Sequence, residues 1–255
     1  MLKIDLNCDL GEGFGSYNMG QDADIIPLIT SANIACGAHA SDPIIMSRTV
    51  AMCKAAGVAV GAHPGFFDLM GFGRRNIDVT PAEAKAYVQY QMGALQAFCT
   101  ANNMRLSHIK PHGALYNMAG KDIDLALAIC EGIKEIDNNL ILLGLSGSKM
   151  LDAAKKIGLR AACEVFADRG YEEDGSLVKR GKAGAMITNE NEAVERVVRM
   201  VTEGKVRAVS GKDINIKADS VCVHGDGEKA LEFVKKISKA LCGAGVKLCS
   251  LNEIV

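Results

Sequence analysis

The chain has no tryptophan, and only 5% of its residues are aromatic. This scarcity argues against an aromatic platform on which sugars or nucleic acid bases would stack. Neither sign of charge is in excess, because the chain has 29 basic and 30 acidic side chains. The sequence also contains neither a basic stripe nor an acidic tail. We therefore expect neither nucleic acid nor an anionic membrane as a partner.

Long apolar runs are also missing. No run approaches the roughly 20 residues that cross a bilayer, and the N-terminus has no apolar segment of signal-peptide length. The nine cysteines include no Cys-x-x-Cys pair, and most of them lie inside apolar runs, which is typical of reduced core residues. These features predict a cytoplasmic protein.

The repeated pattern along the chain is a strand, a polar exit and a helix, about seven times over. Such alternation predicts parallel strands with right-handed crossovers. Several strands are polar on one face and apolar on the other, which favours a barrel with a polar interior over a doubly wound open sheet. We predict an irregular seven-stranded (β/α) barrel that occupies residues 1–255 as a single domain.

Residues 105–117, RLSHIKPHGALYN, place His108, Lys110 and His112 on one face of a strand. Burying an ammonium group costs free energy unless carboxylates pair with it. The first strand, KIDLNCDL, presents Asp5 and Asp9 on one face and supplies such groups. The glycine-rich loop after it, GEGFG, matches neither a Walker A sequence nor a dinucleotide-binding fingerprint.

Polar residues at the ends of different strands should meet at the C-terminal rim of a barrel, where barrel enzymes place their active sites. The predicted set comprises Asp5, Asn7, Asp9, Glu12, His39, His63, Lys110, His112, Glu164, Asp168, His224 and Asp226.

Three chemistries and one structural interpretation compete for this set. Imidazoles and a carboxylate could hold a metal ion that generates hydroxide. Alternatively, an acid or imidazole takes a proton from water while Lys110 stabilises an oxyanion, and the lysine favours this metal-free interpretation. Cys36 as a nucleophile is less favoured, because its face is apolar. A polar plug without chemistry is the structural interpretation, and it is the favoured one for His108.

Seven segments carry a resemblance to a known family. They are DLNCDLGEGFG (5–15), NIACGAHASDP (33–43), GAHPGFFDLMGFGRR (61–75), KPHGALYN (110–117), EVFADRGY (164–171), LVKRG (177–181) and VHGDG (223–227). Together they resemble the LamB/YcsF family over nearly the whole chain. Ser41 stands where that family usually has glycine, and Lys179 where it usually has proline.

The resemblance implies a barrel related to glycoside hydrolases and polysaccharide deacetylases. It also implies an ATP-dependent 5-oxoprolinase that converts 5-oxo-L-proline, ATP and water into L-glutamate, ADP and phosphate. This chain would be the A subunit of a complex with B and C subunits. ATP is then a co-substrate, and the sequence leaves open which of the three chains binds it, whether a divalent cation takes part and whether the chain forms a homo-oligomer.

For that reaction, Lys110 and His112 are expected near the carbonyl or phosphoryl oxygen, and Asp9 or Glu164 is expected to orient water. Arg75 or Arg169 would hold the substrate carboxylate. The other residues of the rim set are expected to bind substrate. Two alternatives stay open, a metal-dependent carbohydrate or amide deacetylase on the same barrel and a non-catalytic scaffold subunit.

Overall fold

The computed structural model describes residues 1–223 and 230–255. Within these ranges the strands are β1 (Lys3–Leu10), β2 (Ser31–Ala35), β3 (Ala59–His63), β4 (Leu106–Ile109), β5 (Ile141–Leu145), β6 (Arg160–Phe166), β7 (Lys205–Arg207), β8 (Asp213–Asn215), β9 (Ser220–Val223) and β10 (Lys247–Leu248). The α-helices are α1 (Asp22–Ile25), α2 (Pro43–Ala56), α3 (Pro81–Ala101), α4 (Gly113–Ala119), α5 (Ile123–Ile136), α6 (Lys149–Ile157), α7 (Glu190–Thr202) and α8 (Ala230–Gly243).

Seven parallel strands form a closed barrel in the order β1, β2, β3, β4, β5, β6, β9. The ring closes because β9 pairs with β6 on one side and with β1 on the other. Strand β10 adds to the start of β1, and a 3-10 helix (Leu251–Glu253) follows it. The predicted seven-stranded barrel is confirmed.

Local sequence signals explain where the long helices begin and end. Helix α2 begins after Asp42, whose carboxylate accepts hydrogen bonds from the backbone N–H groups of Ile44 and Ile45. It ends at Gly57, which has a left-handed backbone with φ of 71°. Helix α3 begins with a complete capping box between Thr80 and Glu83. Among the described residues no helix is both long and apolar enough to cross a membrane.

Alternation along β1 separates the apolar core from the barrel interior. Ile4, Leu6, Cys8 and Leu10 are buried in the large apolar cluster that the strands share with the helices. Asp5, Asn7 and Asp9 alternate with them, and their side chains contact other strands inside the barrel. The sheet therefore packs on helices through its outer face and holds polar groups within.

Two features of the fold were not predicted. Helix α4 follows β4 almost at once, and the short strands β7 and β8 form a separate antiparallel hairpin. Both are too short for a hydrophobic period to be read from the sequence, since α4 has seven residues and each of the two strands has three.

Ser41 adopts a left-handed backbone with φ of 75°, in the loop between β2 and α2. Its N–H donates to the carbonyl of Gly13 at 2.8 Å. This left-handed conformation favours glycine, so the serine is held in it by the surrounding loop.

Gly61 and His108 are partners across β3 and β4, and a Cβ added at Gly61 would overlap the imidazole. The imidazole is fully buried, and its Nε2 lies 2.8 Å from Oδ1 of Asn33. Burial lowers the pKa of His108 to about 3, so the ring is neutral at physiological pH. His108 thus packs inside the barrel, against Gly61 and Asn33.

We expect the Gly61→Ala substitution to lower the free energy of unfolding by about 1–3 kcal/mol, because the added methyl group must displace a buried ring. Gly93→Ala is the matched control, since its Cβ would meet open space on the surface of α3. That control should gain about 0.5–1 kcal/mol from helix propensity. Urea unfolding of both variants measures the difference, and equal stabilities would contradict the packing argument.

Candidate functional site

Lys110 follows β4 directly, and its ammonium lies inside the barrel between two carboxylates. Nζ is 2.8 Å from Oδ1 of Asp9 and 2.8 Å from Oε1 of Glu164, and the residue is only 2% exposed. Burial alone would lower the pKa of Lys110, but the charges of Asp9 and Glu164 and the thiol of Cys222 together raise it well above its ordinary value. The structure therefore holds a permanent positive charge at this point.

Glu164 is fully buried and has a second partner besides Lys110. The hydroxyl of Tyr116, on helix α4, donates to Oε2 of Glu164 at 2.6 Å. Burial and the nearby carboxylate raise the pKa of Tyr116 well above its ordinary value, so the hydroxyl keeps its proton. Glu164 is thus fixed by a lysine and a tyrosine.

Three histidines from three strand exits lie in contact beside Asp9. The rings of His39 and His112 stack with centroids 3.6 Å apart, and His63 meets both rings edge-on. Burial, followed by the neighbouring imidazoles, lowers the pKa of His39 and His112 well below the ordinary value. These two rings are therefore neutral at physiological pH.

Carboxylates face the histidines from β1 and from the loop after it. Oε1 of Glu12 is 3.2 Å from Nε2 of His39 and 3.6 Å from Nδ1 of His112. Oδ2 of Asp9 is 3.3 Å from Nε2 of His63. Glu12 and the three histidines offer ligand atoms that all lie within 4.8 Å of one another, so this group could hold a metal ion.

A cavity of about 1020 Å³ exposes this constellation to ligands. Asp9, Glu12, His63, Lys110 and His112 all line it. Basic side chains belong to the lining as well, namely Arg74, Lys121, Lys149, Arg169, Lys179 and Arg180. The cavity therefore combines acid–base groups with cationic groups that suit an anionic ligand.

Two predicted site residues on β1 lie outside the cavity lining, although Oδ1 of Asn7 is 3.4 Å from Nζ of Lys110. Asp5 is fully buried and accepts hydrogen bonds from the hydroxyls of Thr30, Ser31 and Ser220. Asn7 is also buried, and its amide donates to the hydroxyl of Ser220 at 2.7 Å. Neither belongs to the lining of the cavity.

The predicted arginines differ in their placement. Arg75 forms an ion pair with Asp68 and does not belong to the lining of the cavity, whereas its neighbour Arg74 does. Arg169 lines the cavity and donates to the backbone carbonyls of Val178 and Ala185. Burial, then the charge of Arg180, lowers its pKa to about 10.

The remaining predicted residues are more distant or undescribed. Asp168 is half-buried outside the cavity lining, and its carbonyl accepts from the N–H of Ile187. His224 and Asp226 lie outside the described residues. Cys36 is buried, and burial raises its pKa to about 12, which disfavours a nucleophilic thiolate.

Sequence reasoning missed Tyr116, Arg74 and Cys222 as members of this region. Nζ of Lys110 donates to Sγ of Cys222 at 3.2 Å, and alternation along β9 could have placed that thiol on the inner face. Tyr116 had no such signal, because a helix as short as α4 leaves no periodic pattern.

A model of the LamB/YcsF family matches residues 4–255. The chain belongs to this family. It is 63% identical over 254 residues to the A subunit of 5-oxoprolinase from Clostridium beijerinckii, with 100% of both chains covered. It is 53% identical over 255 residues to the corresponding 5-oxoprolinase chain of Campylobacter jejuni, again with 100% of both chains covered.

Among solved structures, the chain is similar to a lactam utilization protein from Thermus thermophilus. The two share 45% sequence identity and superpose with a TM-score of 0.92, covering 97% of this chain and 99% of that one. The family membership that the sequence motifs suggested is confirmed, and a similar barrel exists in a crystal structure.

Asp5 gives a prediction about pH and stability. Burial is the largest influence on its carboxyl and raises the pKa from 3.8 to about 6 despite three hydroxyl donors. As pH rises, the Asp5 carboxyl loses its proton at a lower pH in the unfolded chain than in the folded protein. The free energy of unfolding therefore falls between pH 4 and 7. The Asp5→Asn variant lacks this titrating group. We therefore expect its free energy of unfolding, relative to that of the unaltered chain, to increase by about 2 kcal/mol between pH 4 and pH 7.5. Urea titrations at the two pH values measure it, and a constant difference would contradict the raised pKa.

Proposed function

We propose that this chain is the A subunit of an ATP-dependent 5-oxoprolinase and binds the lactam in the cavity at the strand ends. The observation that most supports the proposal is the 63% identity, over the full length of both chains, to the Clostridium beijerinckii protein of that name. The similarity to a lactam utilization protein agrees with a cyclic amide as substrate.

The chemistry requires activation of a stable amide. Transfer of the γ-phosphoryl group of ATP to the lactam oxygen releases ADP and makes the carbonyl carbon electrophilic. Water then adds to this carbon, and the ring C–N bond breaks as the nitrogen takes up a proton, leaving an acyl phosphate. A second water converts the acyl phosphate into the carboxylate of glutamate and free phosphate.

Lys110 is suited to the oxygen that gains negative charge in these steps. Its ammonium is fixed by Asp9 and Glu164 before substrate binds, and it belongs to the lining of the cavity. A preorganised charge in a site shielded from water stabilises an oxyanion without reorganisation in the transition state.

Asp9 is the better choice of the two acids for orienting water. Glu164 is fully buried between Lys110 and Tyr116 and does not belong to the cavity lining. Asp9 is half-buried in the cavity wall, and its Oδ2 lies 3.3 Å from Nε2 of His63. A carboxylate in the cavity wall can orient water and accept a proton from it.

The cationic part of the cavity wall suits the substrate carboxylate. Arg74 and Arg169 both belong to this wall. A guanidinium can hold a carboxylate through two parallel hydrogen bonds, which fixes its orientation as well as its position. We therefore assign the carboxylate of 5-oxoproline to this side of the cavity.

The decisive assay is ATP-dependent glutamate release from 5-oxoproline, with this chain alone and then together with the B and C subunits. We expect turnover only in the complete mixture and its loss when this chain is omitted. Full activity of B and C without this chain would make it a non-catalytic scaffold. No activity in any combination of folded, assembled chains would contradict the 5-oxoprolinase assignment.

Substitutions within the complex test the site itself. Lys110→Met and Asp9→Asn should each reduce turnover about 10²-fold or more, because they remove the oxyanion charge and the proton acceptor. Lys85→Met is the matched control, since Lys85 pairs with Glu135 between the outer helices α3 and α5. It should leave turnover unchanged. Normal turnover in both site variants would contradict these roles.

A further inference from the structure

The hydrogen bonds of His63 and His112 create a conflict inside the histidine cluster. Nδ1 of His63 lies 2.7 Å from the carbonyl oxygen of Lys110, and Nε2 of His112 lies 2.9 Å from the carbonyl oxygen of Phe72. A carbonyl oxygen only accepts, so each of these two nitrogens must carry a proton of its ring. With one proton on each ring, the other nitrogen presents a lone pair.

Those two lone pairs face each other. Nε2 of His63 and Nδ1 of His112 are 2.9 Å apart. Two acceptors at this distance repel unless a positive species lies between or beside them. Since a metal-bound histidine typically donates its remaining N–H to a backbone carbonyl, both rings have the second-shell contact of metal ligands.

Two carboxylate oxygens approach the same two nitrogens. Oδ2 of Asp9 is 3.3 Å from Nε2 of His63, and Oε1 of Glu12 is 3.6 Å from Nδ1 of His112. In a tetrahedral zinc site with bonds of about 2.0–2.1 Å, neighbouring donors lie roughly 3.4 Å apart. These three separations, 2.9, 3.3 and 3.6 Å, agree with an ion bound beside the two rings.

We propose that His63, His112, Asp9 and Glu12 form a binding site for a divalent transition-metal ion such as Zn²⁺. Two imidazoles and two carboxylates are a donor set that suits such ions. When bound, the ion would supply a polarised carbonyl or an ionised water in the cavity.

His39 has a different place in this site. Its Nε2 lies 3.2 Å from Oε1 of Glu12, and its ring stacks on His112. A neutral His39 that donates this N–H to Glu12 orients the carboxylate and does not bind the ion. His39 is therefore a positioning residue.

Lys110 does not oppose the ion directly, because Asp9 stands between them. The ammonium contacts Oδ1 of Asp9, whereas Oδ2 faces His63. Asp9 thus pairs with Lys110 through Oδ1 and binds the ion through Oδ2.

The experiment measures metal binding and does not depend on the proposed reaction. The whole chain is stripped with a chelator and titrated with Zn²⁺ by calorimetry, and bound zinc is counted by elemental analysis. We expect one Zn²⁺ per chain. No stoichiometric binding would overturn the proposal and would mean that a proton occupies the position between the two rings.

Zinc K-edge X-ray absorption on the unaltered chain identifies the ligands without relying on any variant. We expect nitrogen or oxygen neighbours at about 2.0–2.1 Å with scattering from two imidazoles. A sulfur shell near roughly 2.3 Å would place the zinc on cysteines and would overturn the assignment.

Variants separate ligands from neighbours. His63→Gln/His112→Gln should abolish stoichiometric binding. His39→Gln should keep one site with affinity reduced roughly 10–100-fold, as for a second-shell contact. His108→Gln is the matched control, because that buried ring bonds Asn33 instead, and it should bind zinc like the unaltered chain. Undiminished affinity in the folded double variant would overturn the proposal.

Discussion

Burial of the Lys110 ammonium requires carboxylates from two other strands of the barrel. Its charge is tolerated because Asp9 comes from β1 and Glu164 from β6, while Lys110 itself follows β4. Removing one partner of such a buried pair typically costs about 3–5 kcal/mol. The pairs therefore link three strands of the ring through its interior, and the register of the barrel and the geometry of the site are set by the same contacts.

Asp9 divides the site into two regions of different chemistry. One oxygen contacts Lys110 and the amide of Asn33, and the other faces His63. On one side the charges are permanent, because the carboxylates keep the lysine protonated. On the other side the imidazoles are buried, and burial keeps the pKa of His39 and His112 low, so their lone pairs stay available. Oxyanion stabilisation and metal or proton chemistry can thus occupy adjacent positions in the same cavity.

Alternation in the sequence predicted which faces are polar but not how deep each residue lies. Asp5, Asn7 and Asp9 share a face of β1, yet only Asp9 reaches the cavity, because Asn7 lies roughly 7 Å and Asp5 roughly 13 Å before it along the strand axis. Arg75, unlike Arg169, lies outside the cavity lining for another reason. Arg74 and Arg75 are adjacent in a loop without a period, and the ion pair that holds Arg75 on Asp68 depends on a turn that local spacing does not specify.

Packing against the histidine rings explains why glycines occur in the loops near them, which the sequence motifs alone did not show. A Cβ at Gly65 would press on the ring of His39, and a Cβ at Gly73 would press on both His39 and His112. Gly113, which follows His112, has a left-handed backbone with φ of 54° and lies against the carbonyl of Gly73. The loops after β3 and β4 can therefore close over the imidazoles only where side chains are absent. In this family member, the glycine-rich segments shape a pocket of histidines, and no phosphate-binding loop is needed to explain them.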